Sequence, residues 1–220
     1  MNDRRLGPAL IAEALGTFVL VFAGCGAIAV GSLPATGIAG AFGLAIMVSI
    51  YALGHISGAH FNPAVTLAFA VGRHFPPARI VPYWIAQASG AIVAAGFLRL
   101  SLGNVPIGAT GPAGSDLQAL AWEAVLTFVL MLVIVAVATD TRAVGQAAAL
   151  AIGGAVALGS LVGGPISGAS MNPARSLGPA LVSGDLAHLW IYVTAPFMGA
   201  IAAVIVYRQL GPPAPVVGGS

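Results

Sequence analysis

Charge is what this chain lacks most. Charged side chains make up 6% of its 220 residues, and lysine is absent altogether. A soluble domain carries about 25% charged residues, so this chain cannot clothe a water-facing surface and belongs in a bilayer. Its basic residues are all arginine, they are scattered, and the net charge is only +2. Nucleic-acid binding needs a clustered basic face and is excluded. A single cysteine, Cys25, rules out an internal disulfide and any cysteine metal cluster. It reads as small apolar filler in a membrane helix. No His/Cys/Asp group has metal-ligand spacing, and neither a nucleophile motif nor a phosphate loop is present. An enzyme is therefore not expected, and neither is a metal or a cofactor.

What is abundant is apolar sequence, 59% of the chain. A spanning helix needs about 20 mostly apolar residues. Six stretches qualify, at roughly 9–30, 37–54, 80–100, 118–138, 146–163 and 187–207. The first contains Glu13 and exceeds the ~7–15-residue core of a cleavable signal, so it reads as a span. Two further stretches, from Asn62 to about Val71 and from Asn172 to about Val182, are too short to span. At 1.5 Å per residue, about ten residues cover ~15 Å, half of a ~30 Å hydrocarbon core. They read as re-entrant half-helices. The Pro-rich tail over 211–220 reads as disordered.

Each half-helix opens on a copy of one motif. Ile56-Ser57-Gly58-Ala59-His60-Phe61-Asn62-Pro63-Ala64 recurs 110 residues later as Ile166-Ser167-Gly168-Ala169-Ser170-Met171-Asn172-Pro173-Ala174. The same offset relates Glu13-Ala14 to Glu123-Ala124 and Thr17-Phe18-Val19-Leu20 to Thr127-Phe128-Val129-Leu130. Near the ends Gly90-Ala91 matches Gly199-Ala200, and Arg99 matches Arg208, at an offset of 109. The whole chain thus reads as one channel domain of two repeats, about 1–110 and 111–220. Each repeat has three spans, an odd number, so the second enters the membrane upside down and forms an inverted repeat. With the N-terminus inside, Arg4, Arg5, Arg73, Arg79, Arg142 and Arg208 fall on the cytoplasmic side, and only Arg99 and Arg175 lie outside or in the outer half. The positive-inside rule favours this orientation, with both termini cytoplasmic. The arginine-free segment 101–117 reads as an external connector.

The motif has a physical purpose at a half-helix start. Asn is a strong N-cap and Pro suits the first helical position. Irregular backbone at membrane depth is tolerated only when buried in protein or lining a wet cavity. The carbonyls of Gly58, Ala59 and His60, and of Gly168, Ala169 and Ser170, can then point into a pore. The inverted repeat brings Asn62 and Asn172 together at the midplane, where two half-helix N-termini, each with about +0.5 charge, oppose protons and cations. A polar ladder on one side of an apolar tube suits neutral molecules that shed water on entry.

Across Gly54-His55-Ile56-Ser57-Gly58-Ala59-His60-Phe61-Asn62-Pro63-Ala64-Val65-Thr66 and Met171-Asn172-Pro173-Ala174-Arg175-Ser176, the chain resembles the aquaporin family (major intrinsic proteins). The resemblance covers about residues 6–210. It implies an all-α membrane fold, a right-handed bundle of six transmembrane helices plus two re-entrant half-helices, with a pore in each subunit of a homotetramer. It also implies a narrow filter built from four positions, which match Phe42, Ser160, Ala169 and Arg175. Strict water channels of the family resemble one another in placing histidine where this chain has Ser160. Serine and Ala169 are small, so the filter is expected to admit water and small neutral solutes such as glycerol. The motif wording is similar to that of the plant nodulin-like intrinsic proteins and their bacterial relatives, several of which pass hydroxylated metalloids such as boric or arsenous acid. Phe42 is larger than the smallest filters of that group, which argues against bulky silicic acid.

Two alternatives compete with this reading: a water-only channel and a proton-coupled carrier. Glu13 and Glu123, the carboxylates within spans, read as acceptors for the half-helix loops rather than as a proton relay. His55 and His60 read as braces of the first loop. Gly16, Gly24, Gly90, Gly96 and Gly199 read as sites of close helix contact. Short loops and termini suggest a prokaryotic inner membrane.

Overall fold

A computed structural model describes residues 5–139 and 147–210. Six long helices form where the apolar stretches predict them: α1 (Leu6–Val30), α2 (Ala35–Ser57), α4 (Ile80–Leu102), α5 (Asp116–Thr139), α6 (Ala148–Ser167) and α8 (Leu189–Leu210). All six are long and apolar enough to cross a membrane. Two short helices, α3 (Pro63–Val71) and α7 (Pro173–Ser183), are the half-helices, and among the described residues no strand occurs. Arg4, Arg142 and the 211–220 tail, all given a place by the sequence reading, lie outside the described residues.

The spans run further than the apolar stretches suggest, and for a local reason. Ile56-Ser57 and Ile166-Ser167 are still helical, so the first residues of each motif belong to the last turns of α2 and α6. Both helices then stop at a glycine in the left-handed region, Gly58 (φ 97°) and Gly168 (φ 83°), whose amides close onto Gly54 and Gly164. A left-handed C-cap is the common way to end a helix, and glycine adopts it without a Cβ clash. The Asn that starts each half-helix then follows only four residues after that glycine.

The two repeats meet along a pseudo-two-fold axis that passes between α2 and α6. A Cβ on Gly43 would lie 2.5 Å from the Gly153 carbonyl oxygen, and one on Gly153 would lie 2.7 Å from that of Gly43. These residues are symmetry mates, 110 apart, and neither was singled out from the sequence. Within each repeat the first and third spans cross just as closely. Cβ atoms at Gly90 and Gly199 would each come 2.1 Å from a backbone carbonyl, that of Ala14 and that of Ala124. Gly96 is a correction, because nothing lies within 4 Å of the position its Cβ would take. It looks outward from α4, and its resemblance to the contact glycines is one of spacing only. Gly90→Ala is accordingly expected to destabilise the detergent-solubilised protein by about 1–3 kcal/mol through overpacking. Gly96→Ala should hold or raise stability, since Ala favours helix over Gly by ~0.8–1 kcal/mol. Equal melting temperatures for the two variants would contradict this packing.

Large apolar side chains cover the outside of the bundle, among them Leu100, Leu117, Ile85 and Ile11, all more than half exposed. In water such a surface would aggregate, whereas in lipid it is the natural solvent contact. Arg5, Arg73, Arg79 and Arg208 gather at the end of the bundle that carries both chain termini, where Arg208 donates to the Val71 carbonyl at the end of α3 (2.9 Å). The opposite end carries the α1–α2 turn and the 103–115 connector.

Candidate functional site

The two half-helices start tip to tip. Asn62 and Asn172 cap them, each accepting from the amide two residues on, Ala64 (2.9 Å) and Ala174 (3.0 Å). Asn172 accepts from Arg175 as well (3.2 Å). Proline follows each cap at the first helical position. Each Asn then reaches across the axis: Asn62 Nδ2 donates to the Met171 carbonyl and Asn172 Nδ2 to the Phe61 carbonyl, both at 2.8 Å. An amide carries two N–H donors, so this cross-bonding uses one and leaves one at the lumen, which both Asn side chains line.

Holding this geometry requires strained backbone. Ala59 and Phe61 have φ near +50°, as do their mates Ala169 and Met171 at +44° and +53°. Left-handed non-glycine residues cost about 1–3 kcal/mol each unless their surroundings hold them. Glu13 and Glu123 supply that hold, and both are fully buried. Glu13 accepts from the amides of His60 (2.9 Å) and Phe61 (2.7 Å), and Glu123 from those of Ser170 and Met171 (2.8 Å each). Tyr83 and Tyr192 add a second hold through their hydroxyls, which donate to the carbonyls of Ser57 (2.9 Å) and Ser167 (2.6 Å). Here the repeats diverge. Gln87 completes the first carboxylate by donating to Glu13 (2.7 Å) and to Thr66 (3.0 Å), whereas Glu123 takes its third donor from Ser167 (2.7 Å).

His60 is buried, sits 3.1 Å from the Thr66 hydroxyl, and packs against the rings of Phe69, Phe75 and Tyr83. These contacts place it within the packing of the first loop. His55 lies elsewhere: it is exposed and lines the lumen at the mouth on the side of the termini. Its position near the end of α2 points it into the vestibule rather than under the loop.

A cavity of about 310 Å³ runs past both Asn tips. One wall is apolar, with Leu20, Ile46, Ile50, Leu130, Ile134 and Ile152. The other wall is the two loops, with Gly58, Ala59, His60, Ala169 and Ser170. Phe42, Ser160, Ala169 and Arg175 all line this cavity at the end away from the chain termini. Phe42, Ser160 and Arg175 also line a second cavity of about 490 Å³ that opens beyond them, with Gly168 in its wall. Of the four positions that the resemblance implies, Phe42, Ser160 and Arg175 thus stand where the two cavities adjoin, and Ala169 lines the first of them.

Arg175 is held rigidly there. It is almost fully buried, its guanidinium lies 4.9 Å from the centre of the Phe42 ring, and its Nη1 donates to the Gly108 carbonyl at 2.6 Å. Gly108 belongs to the connector, which reads from sequence as a plain loop. The structure folds it into the bundle instead. Ile107 is buried, the Ala113 amide donates to the Ile166 carbonyl (3.0 Å), and the hydroxyls of Thr110 and Ser176 pair at 2.8 Å. Tyr83, Tyr192, Gln87 and Gly108 are the supporting residues that sequence reasoning missed. The tyrosines were detectable, since they are repeat mates 109 apart, and so was Gln87, a polar residue within an apolar span.

Six spans, an inverted repeat, two half-helices meeting at their caps and a lumen threading between them define a membrane channel rather than an enzyme. The chain belongs to the major intrinsic protein family, whose match covers residues 3–207. It is similar to Aquaporin NIP1-1 of Oryza sativa subsp. japonica, with 52% identity over 90% of this chain and 72% of that one. It is also similar to Nodulin-26 of Glycine max, with 51% identity over 90% of this chain and 76% of the relative. Among solved structures, the X-ray structure of the aquaglyceroporin from Plasmodium falciparum superposes with a TM-score of 0.82 at 27% identity, covering 94% of this chain and 97% of that one. The protein is a multi-pass integral membrane channel for water and small solutes.

Proposed function

We propose that the pore passes small uncharged polyols, glycerol among them, together with water, and excludes protons and ions. The observation that carries this reading is the composition of the constriction. Two small side chains, Ser160 and Ala169, stand at the same constriction as two large ones, Phe42 and Arg175. A polyol can lay its carbon edge on the Phe42 ring, accept from Arg175, and exchange hydrogen bonds with Ser160 while donating a hydroxyl to the Ala169 carbonyl. Arg175 lines the lumen here, and its guanidinium offers N–H donors for such an oxygen. The similarity to nodulin-type relatives and to an aquaglyceroporin supports the same choice. Planar or pyramidal hydroxylated metalloids, boric or arsenous acid, fit the same donor set.

Ion exclusion rests on two features. The guanidinium of Arg175 repels cations at the constriction, and the positive ends of α3 and α7 repel them again at Asn62 and Asn172. The carbonyls of Gly58, Ala59 and His60, and of Gly168, Ala169 and Ser170, replace lost water along the polar wall. The arginine-rich end faces the cytoplasm in this reading, so both termini lie inside and the filter faces outward. All of 1–220 serves as one channel domain of two repeats, and four copies pack their apolar outer faces into a homotetramer. The relatives named above are plant proteins, and they lend no support to the expectation of a prokaryotic inner membrane.

Osmotic light scattering on reconstituted vesicles tests the solute range. Shrinkage in hyperosmotic glycerol followed by re-swelling faster than in protein-free vesicles is the expected trace. Rapid shrinkage with re-swelling no faster than the lipid background would instead support a water-only pore.

A further inference from the structure

The filter's width is set from outside the filter. Behind the Phe42 ring, on the side away from the lumen, lies Gly24 of α1. It is buried and lines neither cavity. A Cβ placed on it would come 2.1, 2.2 and 2.5 Å from three carbons of the Phe42 ring. No real side-chain contact is that short, so the ring occupies the space that a side chain at position 24 would fill. The other repeat handles the same place differently. The mates of Gly24 and Phe42, at the offset of 110, are Ile134 and Ile152, and both reach the lumen themselves. One repeat thus builds its wall from two medium side chains, and the other from a glycine and a phenyl ring set back into the gap.

We infer that Gly24 is a positioning residue for solute selection: by leaving room for the Phe42 ring to recede, it holds the constriction open wide enough for a polyol. This rests on the reading of Phe42 as a filter residue. An alanine at 24 must drive the ring forward by about 1 Å to restore ordinary contact. The ring's neighbour on the lumen side cannot retreat to compensate. Arg175 lies over its face and is tied to the Gly108 carbonyl. That loop in turn is backed by Cys25, which follows Gly24 on α1 and sits 3.0 Å from where a Gly108 Cβ would stand. The advance is therefore taken up by the aperture. Water, the smaller permeant, is affected far less than glycerol.

The test is the glycerol-to-water permeability ratio in vesicles containing the wild type, Gly24→Ala, Phe42→Ala and the double variant. A variant that merely inserts poorly lowers both fluxes together and leaves the ratio unchanged. Gly24→Ala is expected to lower the ratio about tenfold, the effect of ~1.4 kcal/mol of added barrier. Phe42→Ala should raise it, and the double variant should match Phe42→Ala because no ring remains to be pushed. A wild-type ratio for Gly24→Ala beside a raised ratio for Phe42→Ala overturns this inference alone. An unchanged ratio for Phe42→Ala overturns the filter reading on which it rests. If Gly24→Ala does not insert, recovery of insertion in the double variant supports the clash with the ring, and failure of the double variant as well refutes it.

Discussion

Histidine in place of Ser160 is expected to close the pore to glycerol and urea while water still passes. The substitution adds an imidazole at the constriction that Phe42 and Arg175 already narrow from the other side. A guest wider than one water then has to displace a side chain packed between rigid neighbours, since Arg175 is fixed by Gly108 and Ala169 by strained backbone held through the Glu123 loop. A fall of about a hundredfold in glycerol permeability corresponds to ~2.7 kcal/mol of extra barrier, a modest demand for such a steric conflict. Water permeability should fall by no more than a few-fold. The measurement is the same light-scattering trace, with and without re-swelling. If the parent channel already excludes glycerol, the substitution changes nothing, and the water-only alternative stands.

The second large effect is on folding. Glu123→Ala removes the acceptor for two buried amides and the Ser167 hydroxyl, deep in a region without water to replace it. An orphaned buried donor costs roughly 1–3 kcal/mol, so the two amides alone take about 2–6 kcal/mol of support from the loop that carries Ala169 and Met171 while its left-handed backbone strain remains. The expected result is severe loss of folded protein after detergent extraction. Glu123→Gln is the informative variant. Its one carbonyl oxygen can keep one amide, but its NH₂ faces the other, so about one orphan's cost should appear as a lower melting temperature with partial retention of transport. A proton-coupled carrier would behave otherwise: Glu123→Gln would fold well, and the dependence of flux on a pH gradient would vanish. Observing that pattern would displace the loop-brace role for both Glu13 and Glu123.

Much of this architecture was legible because the decisive distances run along rigid elements. Phe42 lies twenty residues before Asn62, and the resemblance could be carried that far because α2 is unbroken to Ser57 and the loop that follows is short. Ser160 benefits from the same continuity in α6. Half-helix length followed from arithmetic on two apolar runs. Part of what escaped is what the repeat does not contain. The connector joins the repeats and has no mate, so neither periodicity nor self-comparison marked Gly108 as the anchor of Arg175. The Gly43–Gly153 crossing was hidden for the opposite reason, because glycines are so frequent in this chain that two more carried no weight until they were seen to meet on the axis. His55 was misplaced because neighbouring residues on a helix face different ways, and the motif it adjoins drew it into the loop's support.

The crossed hydrogen bonds from Asn62 to the Met171 carbonyl, and from Asn172 to the Phe61 carbonyl, also bear on how the protein is made. A ribosome releases the first repeat before the second exists. Until then the Phe61 carbonyl lacks its Asn172 donor and the Asn62 side-chain amide has no Met171 carbonyl to meet. The first repeat alone therefore lacks both of the cross-axis bonds that hold its α3 tip in the finished channel. Both bonds form only when α7 is in place, so the event that completes the lumen also satisfies these two groups of the earlier half. Biogenesis and permeation therefore share one checkpoint: a chain that has not joined its two tips has no continuous path through it.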